Sequence, residues 1–324
     1  MLDWIALKFL AGVGILVFLL LNLLVVTYLE MKIAADFQVR LGPMRVGWHG
    51  TLQPLADFLK LFLKEDVVPG KADRILFWLA PLIFFLPAFL LFLVVPLSEN
   101  LVPQDLDIGL FYIFALATVM PVGIIVAGWS SNSKYSLIGG LRGAAQQISY
   151  EVPMLLSILG VVMLSGSLSL VDIVKAQDGL LLGFLPSWFV FLQPFGFLLY
   201  LIAVLAETNR VPFDIPEAES ELVAGYFTEY SGIKFGIFFL AEYTMTFFLS
   251  LFGALVFLGG WQGPFLPPIV WLLIKTYVLI YFVIWVRWSL PRIRIDQILA
   301  LGWKILLPAA FINIFLTAIF MEIG

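Results

Sequence analysis

The chain has 324 residues, of which 62% are hydrophobic and 12% charged, with a formal net charge of −4. A soluble domain carries about 25% charged and about 45–50% apolar residues, so this chain has too little polar surface for a water-soluble globule and takes a bilayer as its solvent. With no Cys and one His, it lacks the ligands for an iron–sulfur cluster, a structural zinc or a bis-His haem.

A run of roughly 20 mainly apolar residues spans a bilayer, and the first such run is 5–29. The opening Met1-Leu2-Asp3-Trp4 lacks the basic start and cleavage site of a removable signal peptide, so this run is expected to stay in the membrane. Segment 30–74 follows, with Glu30-Met31-Lys32, Gln38-Val39-Arg40-Leu41-Gly42-Pro43, Gly47-Trp48-His49-Gly50 and then Thr51 to Glu65. In the last stretch Leu52, Leu55, Leu59 and Phe62 recur at helical spacing, while Asp57, Lys60 and Lys64 take other directions. That pattern predicts an amphipathic helix at the membrane interface. Taken alone it reads as a surface anchor. Asp57 and Lys60 stand at i,i+3 and are placed to pair. His49 has no metal-ligand spacing around it and reads as a loop histidine.

Spans two and three are expected at 75–98 and 108–129. In segment 130–151, Arg142, Gln146, Ser149 and Tyr150 step along one helical side towards Glu151, just before Val152-Pro153 and the fourth span, 152–171. Glu151 reads either as a capping group or as a carboxylate inside the bundle, where ionisable residues are costly and usually functional. The fifth span is expected at 184–206, with Pro186 and Pro194 near its start.

The segment after it, 207–234, carries Glu207, Asp214, Glu217, Glu219, Glu221 and Glu229 around Arg210. Pro216 can open a helix, which would put Asp214, Glu217 and Glu221 on one side, where like charges repel. Such runs are ordinarily solvated loops. Here, however, the acids alternate with Pro, Phe, Ile, Leu and aromatic residues, a composition that packs. Close carboxylates in a partly dry site cannot all stay ionised, so some hold protons near neutral pH.

The sixth span, 235–259, contains Glu242. A charge at that depth costs at least about 2.5–3.5 kcal/mol, so it is expected to face the bundle as a relay or an interhelical hydrogen-bond partner. Lys275, in the seventh span (268–287), has the reach to snorkel outwards. Segment 287–304 carries Arg287, Arg292, Arg294 and Lys304 before the eighth span, 303–322.

Fifteen of the eighteen Lys and Arg fall in segments 30–74, 130–151, 207–234 and 287–304. By the positive-inside rule these are inner loops and both termini lie outside. The whole, 1–324, reads as a single all-α transmembrane domain of about eight helices, with an interfacial amphipathic helix in the first inner loop. It has no internal repeat, G-x-G-x-x-G or Walker motif.

The blocks Gln38 to Pro43, Leu52 to Glu65, Lys134 to Glu151, Glu207 to Ser231 and Pro291 to Gln297 are long and in order. Together they resemble one family of membrane proteins in respiratory complex I, the proton-pumping NADH:quinone oxidoreductase. Its members dock the peripheral arm and are termed the H subunit in bacteria. The resemblance implies a quinone chamber shared with peripheral subunits and coupled to proton translocation, with quinone as substrate. FMN and iron–sulfur clusters would sit only in partner subunits, and no cofactor would be bound covalently. Around the chamber it places Glu30, Arg40, Asp57, Lys60, Arg210, Phe213, Asp214 and Glu229. As proton-coupling carboxylates it implies Glu151, Glu207, Glu217, Glu219, Glu221 and Glu242, with Arg292 and Arg294 as a basic inner loop. The implied partners are peripheral-arm subunits on the inner side, small membrane and antiporter-like subunits, and lipid, but not nucleic acid. The implied location is the bacterial inner membrane ahead of the mitochondrial one. Met31 departs from the family pattern, where a basic residue is frequent, and Phe227-Thr228 replace the usual Asn-Val. The nearest alternative is the membrane anchor of a membrane-bound hydrogenase or of a ferredoxin- or F420-linked dehydrogenase. A standalone transporter would call for inverted repeats with broken helices, which the sequence does not display.

Overall fold

The computed structural model describes residues 2–99, 101–181, 185–216 and 219–323. The helices are α1 (Leu2–Phe37), α2 (Gln53–Leu63), α3 (Arg74–Leu90), α4 (Gly109–Ala117), α5 (Met120–Ser130), α6 (Lys134–Ser165) and α7 (Leu170–Lys175). After them come α8 (Phe189–Leu192), α9 (Pro194–Glu207), α10 (Glu219–Leu222), α11 (Gly232–Phe257), α12 (Pro268–Ser289), α13 (Ile295–Ala300) and α14 (Leu307–Ile323). A two-residue ladder, Leu180–Leu181 with Leu185–Pro186, is the one sheet among the described residues. The protein is all-α.

Seven helices in the described chain are long and apolar enough to cross a bilayer: Gly12–Phe37, Arg74–Leu93, Gly109–Ser130, Lys134–Ser165, Gly232–Phe257, Pro268–Ser289 and Ile295–Glu322. This is a multi-pass membrane protein. The expected fifth span is instead interrupted. Its four-residue α8 ends at Gln193 (φ −129, ψ 52) and α9 follows with 14 residues, which reach about 21 Å. Pro194 causes the break, because a residue before proline is pushed out of the helical region. The Gln193 side chain secures it: Nε2 donates to Thr317 Oγ1 at 2.5 Å, and Oε1 accepts from Asn313 Nδ2 at 3.0 Å.

The expected inner segment 130–151 and the fourth span form one continuous helix, α6, of 32 residues. It ends at Gly166, which is left-handed (φ +69) and caps the last turn. α11 lies at the centre, packed against α1, α2, α3, α9 and α12. Every residue from Leu240 to Phe257 is buried, as a helix apolar on all sides requires.

In lipid, helices associate through close packing rather than exclusion from water, and small residues allow it. Along α6, a Cβ at Gly139 would stand 2.7 Å from Gly225 Cα, and one at Gly140 would stand 2.9 Å from Ile124 O. These glycines bring α6 against α5 and against the turn at Gly225–Phe227. We predict that Gly139→Val costs about 1–3 kcal/mol by overpacking and lowers the Tm of the purified protein in detergent. Gly70→Ala is the control, since a Cβ there meets nothing within 4 Å; its Tm should match the unsubstituted chain.

Candidate functional site

The most highly charged point inside the bundle is Glu30, on α1 and 7% exposed. Tyr243 of α11 donates its hydroxyl to Glu30 Oε2 at 2.5 Å. Arg210, just past α9, donates to Oε1 at 3.3 Å, and Arg287, in the last turn of α12, contacts the same oxygen. The Arg210 guanidinium also lies 4.6 Å from the centre of the Tyr243 ring. Two guanidiniums against one carboxylate leave a net positive charge among buried helices. An isolated buried charge carries a desolvation cost of several kcal/mol, so the cluster stands only because each member has a counter-ion or a donor.

A second group joins α6 to α9. Glu151 and Glu207 are both buried and lie within electrostatic reach of one another. Glu151 Oε1 and Glu207 Oε2 are buried without a hydrogen-bond partner among the described residues. Gln146 ties the two elements, its Nε2 reaching Ala206 O at 2.7 Å, Asn209 Oδ1 at 3.1 Å and Phe213 O at 2.7 Å. Phe213 is buried edge-on against Tyr150, with ring centres 5.3 Å apart. Glu242 on α11 accepts from the Tyr226 hydroxyl at 2.8 Å. It therefore faces the bundle, as its depth in the sixth span requires.

The acidic segment folds differently from expectation. Pro216 itself stands in a turn, and α10 covers only Glu219–Leu222 among the described residues. Asp214 and Glu221 therefore do not share a helical side. Asp214 is half-buried. Glu221 is exposed and accepts from Arg142 Nη1 at 2.6 Å, with Arg292 Nη2 at 3.8 Å. The hydrogen bond from Arg142, then the charges of Arg292 and Arg142, hold its carboxyl below the usual carboxylate range. The contact is thus present above that range and is lost as pH falls through the lowered value. Arg294 does not join Arg292, but pairs with Asp296 at 3.0 Å on the surface. Glu217 and the side chain of Glu219 lie outside the described residues. Glu229 is half-buried beside Tyr230.

The amphipathic helix α2 presents two faces. Leu55, Leu59 and Phe62 are exposed, while Asp57, Phe58, Lys60, Leu61 and Lys64 face a cleft of about 310 Å³ shared with α1 and α11. Asp57 and Lys60 pair at 3.1 Å, as their spacing predicts. The cleft is lined mainly by apolar side chains, with Met31 on α1 and Phe235 and Phe239 on α11. Phe239 packs on Tyr243, ring centres 4.6 Å apart, so one aromatic step separates the cleft from Glu30. Arg40 is exposed and donates to Gln38.

Spacing marks neither Tyr226 nor Tyr243 as a partner of the carboxylates, and Arg287, which the sequence offers only as one of several basic residues of an inner segment, turns inward to Glu30. All three lie on elements whose facing direction emerges only once α11 and α12 are packed. Lys275 likewise does not snorkel. It is 6% exposed and donates to Gly260 O at 2.9 Å and Gln262 O at 2.7 Å, closing the turn after α11.

A sequence profile described as NADH dehydrogenase matches residues 10–318. Among curated relatives, the NADH-quinone oxidoreductase H subunit of Dehalococcoides mccartyi (strain CBDB1) is 51% identical over 301 residues, 93% of this chain and 83% of the relative. One of the NADH-quinone oxidoreductase H subunits of Geobacter metallireducens is 48% identical, covering 95% of this chain and 94% of its own. The corresponding protein of Carboxydothermus hydrogenoformans is 48% identical over 315 residues, covering 96% and 88%. A match this long, with the membrane helices inside it, leaves one conclusion: the chain belongs to the NADH dehydrogenase family.

Proposed function

We propose that the chain is the quinone-chamber subunit in the membrane arm of an NADH–quinone oxidoreductase, and that it couples quinone reduction to proton translocation without carrying electrons itself. In this reading its 324 residues form one transmembrane domain. The basic segments lie on the inner face of a bacterial plasma membrane, and both termini lie outside. Peripheral-arm subunits holding FMN and iron–sulfur clusters dock on that inner face, with small membrane subunits and antiporter-like subunits alongside. The relatives' names support the assembly.

The observation that carries the reading is the short path from the cleft between α1, α2 and α11 through Phe239 and Tyr243 to Glu30 with its two arginines. A quinone is an apolar ring and tail with two carbonyl oxygens. Reduction brings two electrons from partner subunits and consumes two protons, passing through anionic states before the quinol forms. The cleft accommodates the apolar body. Arg210 and Arg287 supply positive charge where the negative charge develops, without reorganising at the moment of reaction. Glu151, Glu207 and Glu242 are carboxylates in a dry interior whose proton occupancy responds to a charge that appears nearby. Arg40, Asp57, Lys60, Phe213, Asp214 and Glu229 belong to the chamber or its entrance. Glu217, Glu219 and Glu221, with Arg292 and Arg294, form the acidic segment and its basic neighbours on the inner face.

Two experiments test the reading. A photoreactive quinone added to the assembled complex is expected to label Phe58–Lys64 or Phe235–Phe239, with excess native quinone suppressing the label. Labelling confined to other subunits contradicts the chamber assignment. In Glu207→Gln and Glu242→Gln complexes, which keep side-chain volume, assembly should persist. Proton translocation in vesicles should fall by roughly a hundredfold, the low end of what a positioned acid–base group contributes. Undiminished pumping removes the coupling role.

A further inference from the structure

Lys234 is buried in a place that neither the charge cluster nor the carboxylates explain. It sits one residue before the cleft-lining Phe235 on α11 and is 1% exposed. Its Nζ is 3.0 Å from Asp66 Oδ2, 3.6 Å from the centre of the Trp78 ring and 4.9 Å from that of Phe77. Asp66 lies just beyond the C-terminal end of α2, and both rings belong to α3.

The rest of the junction pulls the same way. Ser231 Oγ donates to Glu65 O at 3.2 Å and accepts from Val67 N at 3.0 Å. Gly232, at φ +57, allows the chain to pass Lys64 O, which a Cβ would approach at 3.2 Å. The segment leaving α2 is therefore fastened to the start of α11, with the ammonium as its only charged tie on the α11 side among the described residues. Packing alone does not call for this pair, since exchanging both members of a buried ion pair for apolar groups of similar volume is often neutral. What the charge adds is direction: it draws Asp66, and so the end of α2, to one place.

We propose that Lys234 is a positioning residue that fixes the aperture of the cleft between α2 and α11, and through it the affinity for the apolar tail of a long-chain quinone. The inference rests on the quinone reading of that cleft. The side chains whose spacing Lys234 sets, Leu61 and Phe235 with Phe239 beyond them, are apolar, so they meet the tail and not the ring oxygens. The head-group chemistry at Glu30 lies outside the clamp.

The test is steady-state quinone reduction by the assembled complex, with a long-tailed quinone and a short-tailed analogue. In Lys234→Met, KM for the long-tailed quinone is expected to rise roughly tenfold. Its kcat should stay within about twofold, and the short-tailed analogue should keep near-normal KM. Lys234→Arg retains the ion pair and the ring contacts and should restore KM. Asp66→Asn should reproduce the rise, and it decides the matter by the same criteria if Lys234→Met does not assemble. Unchanged KM, an equal rise for both quinones, or a loss confined to kcat overturns the inference. Photolabelling of α2 or α11 alongside unchanged KM removes the clamp alone, whereas absence of that label removes the quinone reading beneath it.

Discussion

Glu30 is the point on which the interior depends. One carboxylate on α1 is met by a hydroxyl from α11, a guanidinium from the turn after α9 and another from the end of α12. Between apolar helices no water compensates a lost partner, so removing one member of such a buried set leaves an uncompensated charge, at a cost of about 3–5 kcal/mol. Four elements widely separated in sequence are thereby held in one arrangement. The aromatic wall of the cleft is built on the same tyrosine, because Phe239 and Tyr243 lie one turn apart on α11 and pack on each other.

From that anchor the chemistry spreads along two lines. α11 carries Tyr243 towards Glu30 and, at the adjacent position, Glu242 towards Tyr226. α6 and α9 hold Glu151 and Glu207 near each other, with the Gln146 amide reaching Ala206 O in α9 and Asn209 and Phe213 in the segment that follows. Groups so placed can be buried only if protons or positive charge accompany them. A change of charge near Arg210 or Arg287 therefore has titratable neighbours to act upon. In the proposed function, this is what coupling would consist of in a chain with no Cys and a single His.

Much of this was legible in the sequence, and the limits have physical causes. Hydropathy located the long spans because bilayer thickness fixes their length. Helical spacing located α2 and its Asp57–Lys60 pair. The depth of Glu242 within an apolar run required that it face the bundle, and it does. The break at Gln193 was signalled by Pro194, yet the polar side chains that stabilise it, Asn313 and Thr317, lie more than a hundred residues away. The full reach of α6 is obscured by its polar first half, whose Ser136, Gln146, Gln147 and Ser149 are buried against neighbouring elements. Arg287, Lys234 and Lys275 each satisfied the count of inner or interfacial charges, and that sufficient explanation concealed their inward placement. Positive charges near helix ends can face either way, and only packing decides.

In the proposed function, carboxylates inside this bundle exchange protons when a quinone beside them is reduced. The most direct measurement is an infrared difference spectrum of the assembled complex between its oxidised and quinone-reduced states, in the region of the protonated carboxyl C=O stretch. A carboxyl band is expected to change on reduction and to be lost when Glu151 or Glu207 is replaced by Gln. A spectrum with no carboxyl change, or one in which both substitutions leave the band intact, contradicts that exchange.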